Sequence, residues 1–80
     1  MAIILQEDNM ENLSSRLQQL RLAYGYSKTA VAKAVGVSRR TVYAWEDTGK
    51  EPTATNIIQL AQFYQVTTDY LLGLTDNLHI

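Results

Sequence analysis

The sequence predicts an all-α fold, a compact domain of five short helices. Hydrophobic residues form 46% of its 80 residues, and they recur at spacings of three and four, the period of amphipathic helices. Capping residues and glycines mark where most of these segments begin and end. With one proline and four glycines the composition does not favour disorder, and the length is that of a single domain.

The first helix is predicted to begin at Asp8-Asn9-Met10-Glu11, where an Asx cap is followed by an acid in the first turn. Gly25 is expected to end it. Its apolar stripe follows spacings of three and four residues and consists of Met10, Leu13, Leu17, Leu20 and Tyr24.

Two further helices are predicted around a tight turn. Ser27 is a good cap for a second helix near Lys28–Val35, and Gly36 ends that helix because glycine enters the left-handed conformation without steric penalty. Ser38 caps a third helix, predicted over Arg39–Asp47.

The spacing around this turn indicates a function. Ala32, four residues before Gly36, is small enough for the two helices to approach, and Val42, six residues after it, fills the angle between them. Helix, three-residue turn and helix form the helix-turn-helix arrangement that enters the DNA major groove. The alternative is an ordinary helical corner with no role in DNA binding.

The fourth and fifth helices follow a polar loop that ends at Pro52. Thr53 caps the fourth helix, Thr67 caps the fifth, and Gly73 ends the fifth. Their predicted buried residues are Ile57, Leu60, Ala61 and Tyr64, with Ile58 at the edge, and then Tyr70, Leu71 and Leu72.

The sequence divides into an N-terminal arm (1–8), a helix-turn-helix DNA-binding domain (9–73) and a C-terminal tail (74–80). Met1–Leu5 could form a short strand and Asn77–Ile80 its antiparallel partner, with disordered tails as the alternative. The segment from Val66 to Ile80, together with Met1–Leu5, is the expected dimer contact.

The charge is unevenly distributed although its net value is −1. Residues 13–50 contain every lysine and arginine against two acids, a local charge of +5, while residues 1–12 and 51–80 each carry −3. A phosphate backbone responds to the local patch because salt screens distant charges. Charge alone would also fit a solvated surface, but the basic segment coincides with the predicted helix-turn-helix.

The solvent side of the third helix carries the residues expected to contact bases: Arg39, Arg40, Tyr43 and Ala44. The start of the second helix and the loop after the third would contact phosphates. These expected phosphate contacts are Ser27, Lys28, Thr41, Thr48 and Lys50, although the neighbouring Asp47 and Glu51 would repel phosphate.

The chain resembles the lambda-repressor/Cro-like (XRE) transcriptional regulators over Leu13 to Gly73. The resemblance rests on LQQLRLAYGYS, AVAKAVGVSRRTVYAWE, the proline seven residues after Trp45, and IIQLAQFYQVTTDYLLG. It implies a five-helix lambda-repressor-like fold, a recognition helix at Arg39–Asp47, base contacts from Arg39, Arg40 and Ala44, and a phosphate contact from Lys28.

The resemblance also implies a structural ion pair and exposes two departures. It pairs Arg21 with Glu46, which would tie the first helix to the third. The family often has glutamine at the position of Lys28, and it usually has glycine three residues after Trp45. Here Thr48 occupies that place and Gly49 follows, so we expect a reshaped end of the third helix.

Other functional classes are disfavoured. Without cysteine, and with His79 as the single histidine, the chain is not expected to be an enzyme or to bind a metal, and no cofactor is implied. Met1–Leu5 is too short for a membrane span or signal peptide, so the cytoplasm is the expected location. The sequence thus predicts a homodimeric repressor of double-stranded operator DNA, and the alternative is a protein-interaction module such as an antitoxin with a protein partner.

Overall fold

The computed structural model describes residues 13–79 and contains five helices in this range, which confirms the predicted all-α fold. The third helix is α-helical at first and then widens into a single π-helical turn, called here the π-turn. The elements are α1 (Leu13–Tyr24), α2 (Lys28–Val35), α3 (Arg39–Tyr43), the π-turn (Ala44–Thr48), α4 (Ala54–Tyr64) and α5 (Thr68–Leu71).

The predicted caps of α2, α3, α4 and α5 are present. The side-chain oxygens of Ser27, Ser38, Thr53 and Thr67 each accept a hydrogen bond from the backbone N–H three residues later. Each bond satisfies one of the amides that a helix start leaves without a partner. Gly36 ends α2 in the left-handed conformation, with φ of 78°. Short-range chemistry therefore sets most of the helix boundaries.

One hydrophobic core holds the helices together, and the corner between α2 and α3 is part of it. Ala32 and Val42 are both buried there, as the spacing predicts. The other members of the core are Leu17, Leu20, Val31, Val35, Trp45, Leu60, Ala61, Tyr64 and Leu71.

Two residues predicted in apolar stripes lie at the surface instead. Tyr24 is about half exposed, and its hydroxyl donates a 2.8 Å hydrogen bond to the carbonyl of the buried Tyr64. Leu72 follows the last residue of α5, and in this four-residue helix the one fully buried side chain is that of Leu71.

The terminal predictions have different outcomes. The N-terminal arm, Met10 and the predicted start of the first helix lie outside the described residues. Residues 74–79 form bends rather than a strand. Their backbone is held to the helices, since the N–H of Thr67 donates to the carbonyl of Leu78 at 3.0 Å.

Arg16 anchors the same tail from α1. Its side chain is buried, and its Nη1 donates to the carbonyls of Tyr70 (2.8 Å) and Thr75 (2.7 Å). Its Nη2 pairs with Asp76 at 2.7 Å, and its guanidinium lies 4.3 Å from the centre of the Tyr70 ring. Arg16 is therefore an internal clamp and does not belong to the basic surface.

Candidate nucleic-acid interface

The solvent-facing side of α3 brings together the residues predicted to contact bases. Arg39, Arg40 and Tyr43 are exposed and line one shallow surface depression, while Ala44 is half-buried beside them. The opposite side of this helix is fixed in the core by Val42 and Trp45. The helix is thus held by one face, and its other face presents two guanidinium groups and a phenol to the solvent.

The π-turn explains the displaced glycine. The carbonyl of Ala44 accepts hydrogen bonds from the backbone N–H groups of Gly49 and Lys50, and from the Thr48 hydroxyl at 2.8 Å. A π-helical turn holds one more residue than an α-helical turn, so it accommodates Thr48 before Gly49 closes the helix with a φ of 81°. The third helix therefore ends in a π-turn and keeps a glycine cap at Gly49.

The start of α2 presents Ser27 and Lys28 beside the π-turn. Ser27 Oγ accepts from the N–H of Ala30 at 3.0 Å, which leaves its hydroxyl proton free to be donated elsewhere. Lys28 Nζ lies 3.8 Å from Oδ2 of Asp47. This ion pair links α2 to the end of the third helix. Lys28 occupies the position at which the family that the chain resembles often has a glutamine.

The remaining residues predicted to contact phosphate differ in whether their side chains already make hydrogen bonds within the protein. The hydroxyl of Thr41 shares a 2.9 Å hydrogen bond with Ser38, and that of Thr48 already donates to the Ala44 carbonyl, so Thr48 would have to rotate to donate to phosphate. Lys50 is exposed in the loop after the π-turn.

The ion pair expected between Arg21 and Glu46 is present and buried. Nε of Arg21 lies 3.0 Å from Oε1 and 2.9 Å from Oε2 of Glu46, and Nη1 donates to the carbonyl of Tyr26 at 3.0 Å. The residues are 7% and 9% exposed. Hydrogen bonding to Glu46 raises the pKa of Arg21, so the guanidinium stays charged and ties α1 to the π-turn.

The burial of Arg16 and Arg21 reduces the basic surface to five residues. These residues are Lys28, Lys33, Arg39, Arg40 and Lys50. Sequence reasoning missed the clamp formed by Arg16, although position 16 lies three residues after Leu13 and four before Leu20, on the face that a helix would bury. It also treated Asp47 only as a repulsive neighbour of phosphate and missed its pairing with Lys28.

A metal-binding cluster and a membrane-spanning helix are both absent from residues 13–79. No group of three or more histidine, cysteine, aspartate or glutamate side chains in this range is arranged to hold a metal ion. Within the same range no helix has the length and apolar character needed to cross a membrane.

Known proteins are similar to this chain in sequence and in fold. Residues 17–71 match the family described as Helix-turn-helix. The uncharacterized HTH-type transcriptional regulator YobD of Bacillus subtilis is 36% identical over 62 residues, which are 78% of this chain and 55% of YobD. Repressor protein C2 of Salmonella phage P22 is 31% identical over 64 residues, 80% of this chain and 30% of that protein. The chain therefore spans about half or less of these relatives.

A solved structure extends the comparison to three dimensions. The P22 c2 repressor, crystallised in complex with synthetic operator 9T, superposes with a TM-score of 0.72 at 31% identity. The superposition covers 76% of this chain and 92% of the repressor chain. Together with the match over residues 17–71, this likeness shows that the chain belongs to the helix-turn-helix family, in agreement with its resemblance to the lambda-repressor/Cro-like regulators.

Proposed function

We propose that this protein is a sequence-specific DNA-binding transcriptional regulator, acting as a repressor, that inserts its third helix into the major groove. The observation that carries the proposal is the exposed face of Arg39, Arg40 and Tyr43 on a helix whose opposite face is buried. The likeness to a repressor crystallised with its operator supports the same conclusion. The proposed function includes no catalytic step. The protein would act in the cytoplasm, where bacterial and phage operators lie.

Each residue of this face has a defined chemistry toward DNA. Arg39 and Arg40 can each donate two parallel hydrogen bonds to O6 and N7 of guanine. The Ala44 methyl allows close approach and can contact the methyl group of thymine. Tyr43 can reach a base or a phosphate with its hydroxyl. These four residues would read sequence.

Phosphate contacts would come from both sides of the third helix. The amides at the start of α2, with the Ser27 hydroxyl and the Lys28 ammonium, form one anion-binding element. Thr41, Thr48 and Lys50 belong to the recognition helix and the loop that follows it. Such contacts set the affinity and the register of the helix on the duplex.

The test is selection from a random duplex library at two salt concentrations. Specific recognition predicts an enriched motif and an affinity that falls steeply with salt, because phosphate contacts release counterions. If no duplex is retained at either salt concentration, the proposal is wrong, and a protein partner becomes the alternative. That alternative, an antitoxin-like module, is not favoured, since the matching relatives are named transcriptional regulators or repressors.

We further propose that the protein binds its operator as a homodimer through the end of α5 and the tail. One recognition helix reads about half a turn of duplex, and two-fold pairing doubles the site. Leu74 is 73% exposed, and Leu72 and Leu78, in the same stretch of the sequence, are also exposed. The backbone of this loop is already fixed, by the hydrogen bond from the Leu74 N–H to the Asp69 carbonyl and by the Arg16 clamp. A fixed apolar loop loses little entropy on association.

We therefore expect the Leu74→Asp variant to dissociate into monomers at concentrations where the parent is dimeric, because each interface would bury two unpaired carboxylates. Sedimentation equilibrium measures this shift. Leu22→Asp is the matched control, since Leu22 is similarly exposed on α1, outside the proposed contact. A parent chain that is monomeric when bound to its selected duplex would contradict this interface.

A further inference from the structure

A surface ion pair connects the two DNA-facing elements of the domain. Nζ of Lys28, the first residue of α2, lies 3.8 Å from Oδ2 of Asp47 in the π-turn. The side chains of Lys28 and Asp47 are 21% and 30% exposed, so water reaches both charges. The pair therefore lies at the accessible edge of the proposed interface and not in the core.

The position of Asp47 follows from the residue before it. Glu46 is held toward α1 by its two contacts with Arg21 Nε. In the π-turn the next side chain, Asp47, then lies beside the start of α2. A buried structural pair thus places a second carboxylate next to the lysine that would bind phosphate.

The second carboxylate has a direct effect on phosphate binding. A phosphate that approaches Lys28 must displace Asp47 or share the ammonium with it, and Asp47 also repels that phosphate. Exposed pairs of this kind shift an equilibrium by only about two- to five-fold, so DNA can displace Asp47. The pair would lower the affinity for DNA without preventing binding.

We propose that Asp47 sets the DNA affinity of this protein by competing with backbone phosphates for Lys28. The inference rests on the proposed function, DNA binding, and adds a residue that weakens this binding. Asp47 reads no base, and it acts through Lys28. Since Asp47 competes with a backbone phosphate and not with a base, its effect is the same for every DNA sequence.

The test compares Asp47→Asn with a matched control. The variant should bind both the selected duplex and an unrelated duplex about two- to five-fold more tightly. Its slope of log affinity against log salt should stay close to that of the parent, because Lys28 neutralises the same phosphate in both complexes. Glu51→Gln removes the same charge from an exposed residue of the following loop and should change the affinity less.

A double-mutant cycle separates competition for Lys28 from a general change in charge. In a Lys28→Gln background, Asp47→Asn should have no larger effect than Glu51→Gln, because no ammonium remains to be released. An equal effect in both backgrounds would overturn the inference, as would weaker binding by Asp47→Asn alone. Unchanged binding by Asp47→Asn, with a parent that binds DNA, overturns the inference alone. A parent that binds no duplex overturns the proposed function and this inference together.

Discussion

Replacing Arg21 with methionine is expected to lower the free energy of unfolding by about 3–5 kcal/mol. Both carboxylate oxygens of Glu46 lie within 3.0 Å of Arg21 Nε, and Glu46 is 9% exposed. The variant would leave this carboxylate buried without its counter-charge. It would also remove the hydrogen bond to the Tyr26 carbonyl, which holds the turn between α1 and α2.

Thermal and urea unfolding measure this loss. For a domain of this size each kcal/mol corresponds to about 4–8 °C, so the melting temperature should fall by more than about 10 °C. Lys33→Met is the matched control, because Lys33 is exposed on α2 and its loss should change stability by less than about 0.5 kcal/mol. Adding Glu46→Leu to Arg21→Met should restore part of the stability, since it removes the stranded charge. An unchanged melting temperature in Arg21→Met would contradict this role.

The starts of α2 to α5 and the end of α2 could be predicted because their determinants are local. A serine or threonine cap acts three residues away, as at Ser38 and Thr53, and the glycine that ends α2 acts within its own turn. The buried residues of α2 and α4 follow the helical period for the same reason. The Arg21–Glu46 pair spans 25 residues and was predicted only through the family resemblance.

The clamp formed by Arg16 could not be predicted in full. The helical period places position 16 on the buried face of α1, but an arginine is rarely buried without partners. Two of those partners are backbone carbonyls 54 and 59 residues away, in α5 and the tail. Carbonyls carry no sequence information, so no residue pattern identifies them.

The π-turn marks another limit of sequence reasoning. The late position of Gly49 predicts a changed helix end but not its form, because an inserted residue can extend a loop as well as widen a helix. Trp45 and Glu46 are both buried, and Arg21 fixes Glu46. These tertiary contacts keep the chain helical through Thr48 and bring Asp47 next to Lys28.

The Arg40→Ala variant is expected to lose preference at one base position of the selected motif, by about 1–3 kcal/mol. Arg40 is exposed in the first turn of α3, the part of a recognition helix that enters the groove, so its removal should leave the fold intact. Selection from the same duplex library, with the parent and variant chains in parallel, measures the preference at every position. Lys33→Ala is the control, since it removes one exposed positive charge outside the predicted contact residues.

The pattern of the loss decides what Arg40 does. A guanidinium that binds guanine discriminates among bases, so its removal relaxes one position and leaves the others unchanged. A guanidinium that binds phosphate acts on every sequence alike, so its removal weakens all duplexes uniformly and reduces the salt slope by about 0.9. The uniform result would remove Arg40 from the base-reading face. Sequence reading would then rest on Arg39, Tyr43 and Ala44, and the same measurement on Arg39→Ala would identify the arginine that reads the operator.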